Sequence, residues 1–297
     1  MRTSSPLTDI QNIGIIVKQS LNNFEPLIKQ LSDFLLAKQK NILLDKYAAN
    51  FLGKPDLGMA RNKLLNEAQL VIVIGGDGTL LSVARELTDR PVHVLCINAG
   101  TLGFLTEVMP ERTLSALEEI LQGNYTLDER LLLRVTTYRD GKKESTNLAL
   151  NDAVISQGAM ARLVELLVEV NQRQVNRYQA DGLIISTPTG STGHSLSAGG
   201  PIVHPKLDAF VLSPICPLSL ANRPIVLPAD RQLTITVATK RVPAESISLT
   251  IDGQVCIPLD YDMQIKIRKS SRKLYLVRLT SGGENYYKKI RSKLSWG

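Results

Sequence analysis

The run "VIVIGGDGTLLSVARELT", Val71 to Thr88, constrains the fold more than any other stretch of the chain. Together with Leu70 it opens on "LVIVI", an apolar run with no polar alternation that would leave one face in water. Such a strand belongs in a parallel sheet covered on both faces. It stops at Gly75-Gly76-Asp77-Gly78-Thr79, and a helical apolar pattern follows. Strand, glycine turn and helix gather unpaired N–H groups and a positive dipole end around an anion. Asp77 is out of place there, an anion where another anion should bind, and no lysine accompanies it.

The neighbouring sequence repeats the alternation. "IGIIV" (13–17), "NILL" (41–44) and "HVLCIN" (93–98) read as strands, and "FEPLIKQLSDFLLAKQ" (24–39) and "ERTLSALEEILQG" (111–123) as helices, the last closed by Gly123. Residues 1–125 are therefore expected to form an N-terminal Rossmann-like α/β domain, with ligand outside the carboxyl ends of its strands, where Gly75 to Thr79 fall. From about residue 126 the period changes to two. "LLLRVTTYRDGKKESTNLALNDAVIS" alternates around an Asp140-Gly141 hairpin turn, and "SISLTIDGQVCIPL" does so around Asp252-Gly253. "ARLVELLVEVNQRQV" fits strand or helix by pattern, and its β-rich surroundings favour strand. Residues 126–274 thus read as a β-rich domain. The helical-looking segment within 275–297 is expected to return to the first domain.

Bulk properties narrow the function classes. No apolar run approaches the roughly 18 residues of a membrane span, and "MRTSSPLTDIQN" lacks a signal-peptide core, so a cytoplasmic location is expected. Cys96, Cys216 and Cys256 are far apart and form no C-x-x-C pair, which points to buried free thiols rather than a disulfide or zinc framework. His93, His194 and His204 lack metal-ligand spacing, and no protein-held metal is expected. The net charge of +7 comes from the C-terminal end: residues 266–297 hold ten Lys/Arg against one Asp/Glu. The plain reading of that segment is a solvated helix and strand edge. No RNA-binding aromatic motif accompanies it, and neither nucleic acid nor membrane is an expected partner.

Four stretches carry chemistry. At "GGDGT" the Walker pattern and G-x-G-x-x-G are both absent. Gly75, Gly76 and Gly78 permit close backbone approach and positive φ. Asp77 beside phosphate makes sense as a Mg²⁺-holding carboxylate or as a base for a hydroxyl attacking a γ-phosphate. The competing reading is a helix-capping Asp. "NAGTLGFL" (98–105) places glycine-rich backbone at the end of the next strand. "ND" (Asn151, Asp152) heads another strand, and its amide and carboxylate suit ribose hydroxyls. "DGLIISTPTGSTGHSLSAGGPIVHP" (181–205) supplies six hydroxyl side chains at Thr187, Thr189, Ser191, Thr192, Ser195 and Ser197, with Pro188 and adjoining apolar segments that a flexible linker would lack. It reads as a structured loop laid along a polar ligand.

With these motifs in order, together with "NRPIV" (222–226) and "IDGQ" (251–254), the chain resembles the NAD kinases. The resemblance implies an N-terminal α/β domain, a C-terminal β-sandwich-like domain with the dinucleotide between them, and a homodimer or homotetramer. It implies that the enzyme transfers the γ-phosphate of ATP, with Mg²⁺ or another divalent cation, to the 2′-hydroxyl of the adenosine ribose of NAD, giving NADP. Asp77 would take the proton. Gly75, Gly76 and Gly78 would lie against the ligand, and Asn151 and Asp152 would contact ribose. Asp181 would reach toward the nicotinamide half. Thr192, Gly193, His194, Ser195 and Ser197 would line the adenine and ribose pocket, with Gln254 closing it and Arg162 contacting phosphate.

Two departures stand out. Gly193-His194 follows "TPTGST" where the family commonly has Ala-Tyr, which implies altered nucleotide affinity with a pH dependence near 6–7. Gln179 stands two residues before Asp181, where relatives often carry arginine, implying weaker phosphate attraction. These departures also admit a catalytically impaired NAD(P)-binding sensor. The shared GGDGT turn admits a lipid kinase, although the polar 181–201 loop suits an acyl groove poorly.

Overall fold

The computed structural model describes residues 9–21, 23–100, 103–106, 108–158, 163–238, 247–281 and 286–295. The chain divides into two compact units, Met1–Glu129 with Leu274–Gly297, and Arg130–Lys273.

The first unit begins with β1 (Asn12–Val17), α1 (Glu25–Ala37), β2 (Asn41–Asp45), α2 (Lys46–Phe51), β3 (Gly58–Met59) and α3 (Arg61–Glu67). It continues with β4 (Leu70–Gly75), α4 (Asp77–Arg85), β5 (His93–Asn98), α5 (Thr113–Leu121) and β6 (Tyr125–Arg130). Every residue of β4 is buried, as a run without alternation requires. Helix α1 turns Ile28, Leu31 and Leu35 inward at helical spacing. After α5 the chain reverses at Gly123, whose φ of +83° a side chain would strain. Helices α2 and α3 escaped the sequence reading. Both are short; α2 is started by Asp45, which accepts the Ala48 amide at 2.8 Å.

The second unit holds β7 (Leu133–Arg139), β8 (Lys142–Ala149), β9 (Asp152–Gln157), β10 (Val164–Val170), β11 (Arg173–Ala180) and β12 (Gly182–Ser186). The short α6 (His194–Ser197) follows, then β13 (Ala209–Ile215), β14 (Ile225–Pro228), β15 (Leu233–Val237), β16 (Ile247–Ile251), β17 (Val255–Leu259) and β18 (Gln264–Lys269). They form two six-stranded sheets, β11-β10-β15-β18-β7-β8 and β14-β13-β12-β9-β16-β17. Their inward side chains, among them Val135, Leu166 and Ile265 from one and Ile155, Ile185 and Leu249 from the other, share one core. Asp140-Gly141 and Asp252-Gly253 both adopt positive φ, at 48° and 73° and at 49° and 64°, as two-residue hairpin turns demand. The ambiguous 161–175 stretch includes β10 and the start of β11. These strands turn at Asn171-Gln172, also left-handed.

The chain then returns to the first unit through β19 (Leu274–Leu279) and α7 (Tyr286–Leu294). The sheet order there is β3-β2-β1-β4-β5-β19-β6, with β19 parallel to β5. The basic segment is therefore no strand edge. β19 is interior to the sheet, and Lys289 and Ile290 of α7 are buried. The cysteine expectation holds for Cys96 alone. Cys216 and Cys256 are exposed, Cys256 because it sits on the outward face of β17. No helix among the described residues is long and apolar enough to cross a membrane.

Candidate active site

In the first unit the strand order reverses between β1 and β4, both parallel to their neighbours. Ligands of open α/β sheets bind beyond the carboxyl ends of strands at such a reversal, and the glycine turn leaves β4 there. Asp77 is the first residue of α4, whose N-cap is Gly76 with no side-chain capping bond. The carboxylate reaches across instead to the loop after β5. Its Oδ2 accepts the Phe104 amide at 2.9 Å, and its Oδ1 the Leu105 amide at 3.2 Å. The helix-capping reading of Asp77 is thereby corrected.

Gly75 pairs with Asn98 across β4 and β5, which brings the two glycine-rich turns side by side. A Cβ on Gly103 would overlap the Asp77 carboxylate, and one on Gly75 would overlap Thr79. Close approach is thus the reason for these two glycines. None of Gly75, Gly76 and Gly78 uses the positive φ that glycine permits.

The second unit builds a constellation around Asn151 and Asp152. Asp252, in the β16–β17 hairpin turn, accepts the amides of Leu150 at 3.0 Å, Asn151 at 2.8 Å and Asp152 at 3.1 Å. Its own amide returns a bond to the Asp152 carbonyl at 3.0 Å. From the other side, Thr187 donates its amide to the Asn151 carbonyl at 2.8 Å and its hydroxyl to the Leu150 carbonyl at 2.5 Å. Gly190 lies so close that a Cβ would overlap the Asn151 backbone. Asp152 is 5% exposed. Burial, and then the Asp252 charge, push its carboxyl up to about 7. The Asn151 Oδ1 is buried without a hydrogen-bond partner among the described residues.

The hydroxyl-rich loop spends five of its six hydroxyls on protein partners, some within the loop and others at Leu150, Arg130 and Ser213. Ser191 donates to the Pro188 carbonyl at 2.7 Å and accepts the Val203 amide at 3.0 Å. Thr192 donates to the Thr189 carbonyl at 3.3 Å. Ser195, fully buried, shares its hydroxyl with Ser213 at 2.9 Å, so it does not present that group to a pocket as expected. A turn this rich in glycine needs such internal bonds to hold one shape.

Gly193, His194 and Ser197 are exposed along α6 and its start, as are Asp181 before β12 and Gln254 in the Asp252 turn. Gln179 lies on β11 in a shallow cavity with Arg177, Leu218, Ser219 and Asn222. Arg177, two residues back on the same strand, puts a guanidinium beside it, paired with Glu165 at 2.7 Å. Arg162 lies outside the described residues. Asp252, within the IDGQ motif, is the organising residue, a role that its sequence context alone does not reveal.

Comparison with known proteins accounts for both units. Residues 13–125 match the family model described as ATP-NAD kinase N-terminal domain, and residues 150–279 match the ATP-NAD kinase C-terminal domain. The fold and these matches define a phosphotransferase.

NAD kinase of Geotalea daltonii is 44% identical over 288 residues, covering 97% of this chain and 99% of its own. NAD kinase of Teredinibacter turnerae is 40% identical over 291 residues, 98% of each chain. Among solved structures, yeast NADH kinase complexed with NADH superposes with a TM-score of 0.87 at 25% identity, over 97% of this chain and 88% of that one. The NAD kinase of Archaeoglobus fulgidus, at 24% identity and a TM-score of 0.73 over 96% and 99%, shares the fold. The chain belongs to the NAD kinase family.

Proposed function

We propose that the chain transfers the γ-phosphate of ATP to the 2′-hydroxyl of the adenosine ribose of NAD, with Asp77 accepting the hydroxyl proton. The observation that carries this reading is the position of Asp77, beyond β4 and pinned by two amides of the neighbouring loop. An ionised carboxylate has about four acceptor sites, so these bonds orient it and leave capacity for a hydroxyl. Glycine-turn amides tolerate the incoming phosphate. The rate enhancement is then mostly positioning and charge neutralisation, with the base as one contributor.

In this reading Asn151 and Asp152 engage ribose hydroxyls, supported by the unpartnered Asn151 Oδ1 and the buried Asp152 carboxyl. Asp181 and Gln254 act on the dinucleotide from exposed turns. Thr192, Gly193, His194 and Ser197 flank it, while Ser195 serves through the loop that it anchors. Arg177 offers a cation beside Gln179. Among the described residues no group of three or more His, Cys, Asp or Glu is placed to hold a metal ion. The divalent cation is read as Mg²⁺ entering with the ATP phosphates, where it neutralises their charge. We further read the enzyme as a cytoplasmic homo-oligomer.

Incubating purified protein with NAD, ATP and Mg²⁺ tests the reading directly. NADP, detected by an NADP-specific dehydrogenase, is the expected product. Its absence over a full range of enzyme concentrations would overturn the assignment.

A further inference from the structure

The loop that holds Asp77 is itself held from behind. Its Phe104 and Leu105 amides point to the carboxylate, and its carbonyls point to two cations from the C-terminal segment. Lys289 of α7 donates through Nζ to the Thr106 carbonyl at 2.7 Å and to the Phe104 carbonyl at 3.5 Å. Arg278 of β19 donates through Nη1 to the Leu105 carbonyl at 3.3 Å, and its Nε and Nη2 are fixed by Asp128 at 3.2 Å each. Within the loop, the Gly103 amide donates to the Thr106 hydroxyl at 3.1 Å.

Lys289 is only 4% exposed. Burying an ammonium is costly unless it is hydrogen-bonded, and neighbouring Ile290 is buried without any charge. The Phe104 carbonyl belongs to the same peptide unit as the Leu105 amide. Resonance makes that unit a conduit: a cation on its oxygen polarises the N–H at its other end. The contacts therefore run in series from Lys289 through one peptide to Asp77 Oδ1.

We propose that Lys289, supported by Arg278, is a positioning residue for phosphoryl transfer, fixing the 103–106 loop so that its amides aim the Asp77 carboxylate. This rests on the reading of Asp77 as the base. The ten cations of residues 266–297 thus include two that serve the site rather than the surface.

The test compares Lys289→Met, Lys289→Arg and the exposed Lys293→Met, each in the Asp77 enzyme and in an Asp77→Asn background, with kcat and KM for NAD measured on folded protein. Lys289→Met is expected to lower kcat by about ten- to a hundredfold, the scale of a small misplacement, with KM for NAD within about threefold. Lys289→Arg should recover most of the loss, and Lys293→Met should lose nothing. With Asn at position 77, Lys289→Met should change kcat by less than about twofold, because the group that it aims is gone.

Equal losses in both backgrounds, a loss confined to KM, or unchanged kcat would overturn the proposal. Should Lys289→Met not fold, Lys289→Gln, which keeps a donor without the charge, is judged by the same two criteria. An unsubstituted enzyme that makes no NADP would remove the functional reading and this inference together. An active enzyme whose Lys289 variants behave like Lys293→Met would remove this inference alone.

Discussion

Asp252 grips the backbone amide of Asp152 at 3.1 Å while its charge, added to burial, helps push the Asp152 carboxyl up to about 7. One carboxylate orders the turn and at the same time makes its neighbour reluctant to ionise. The folded state therefore holds a proton on Asp152 over a range where the unfolded chain, with its ordinary value of 3.8, has released it. Between those two values stability falls as pH rises, and it levels off above about 7.

Asp152→Asn should remove this slope. Urea melts of ligand-free protein are expected to show the variant matching the parent near pH 4 and exceeding it at pH 8. A parent curve with no excess fall between pH 4 and 7 would contradict the assignment.

Asp252→Asn keeps the shape of the side chain but cannot accept equally from three amides. Hydrogen bonds to a charged group each contribute about 1.5–3 kcal/mol, so a destabilisation of roughly 2 kcal/mol is expected. Removing the charge should also move the Asp152 transition toward lower pH. The same pH series of melts reads both effects.

Gly190→Ala sets a methyl group against the Asn151 backbone, which has no flexible end to yield. Overpacking of this kind costs about 1–3 kcal/mol. The melting temperature should fall, and KM for NAD should rise more than kcat falls.

Asp77→Asn should lower kcat by about a hundred- to ten-thousandfold, the range of general-base catalysis, with KM for NAD little changed. Gly103→Ala, which crowds the carboxylate without removing it, should produce the same pattern to a smaller degree. Steady-state kinetics of the two variants checks both expectations.

Strands and turns were legible wherever a residue's chemistry forces its conformation. The unbroken apolar run of β4 and the Asp-Gly pairs at 140–141 and 252–253 are local signals, and the structure realises them locally. Helices α2 and α3 were not legible, because neither is long enough to show a period. Residue types near the site were readable, but their partners were not. Asp252 binds amides about a hundred residues away, and Lys289 binds carbonyls more than 180 residues away, so only folding reveals the pairing. The loop at 187–197 is the reverse case: its hydroxyls suggest a ligand by type, but Thr187, Ser191 and Ser195 bond to Leu150, Pro188 and Ser213.

Strand β19 lies between β5 and β6 although it is translated some 150 residues after β6. A ribosome making this chain synthesises all of Arg130–Lys273 before the last interior strand of the first sheet. The later half of the sequence can thus fold first as a nascent chain, while the N-terminal half waits with a gap beside β5. Phosphoryl-transfer competence, as read here, would arrive only after that segment is made, when it both fills the gap and delivers Lys289.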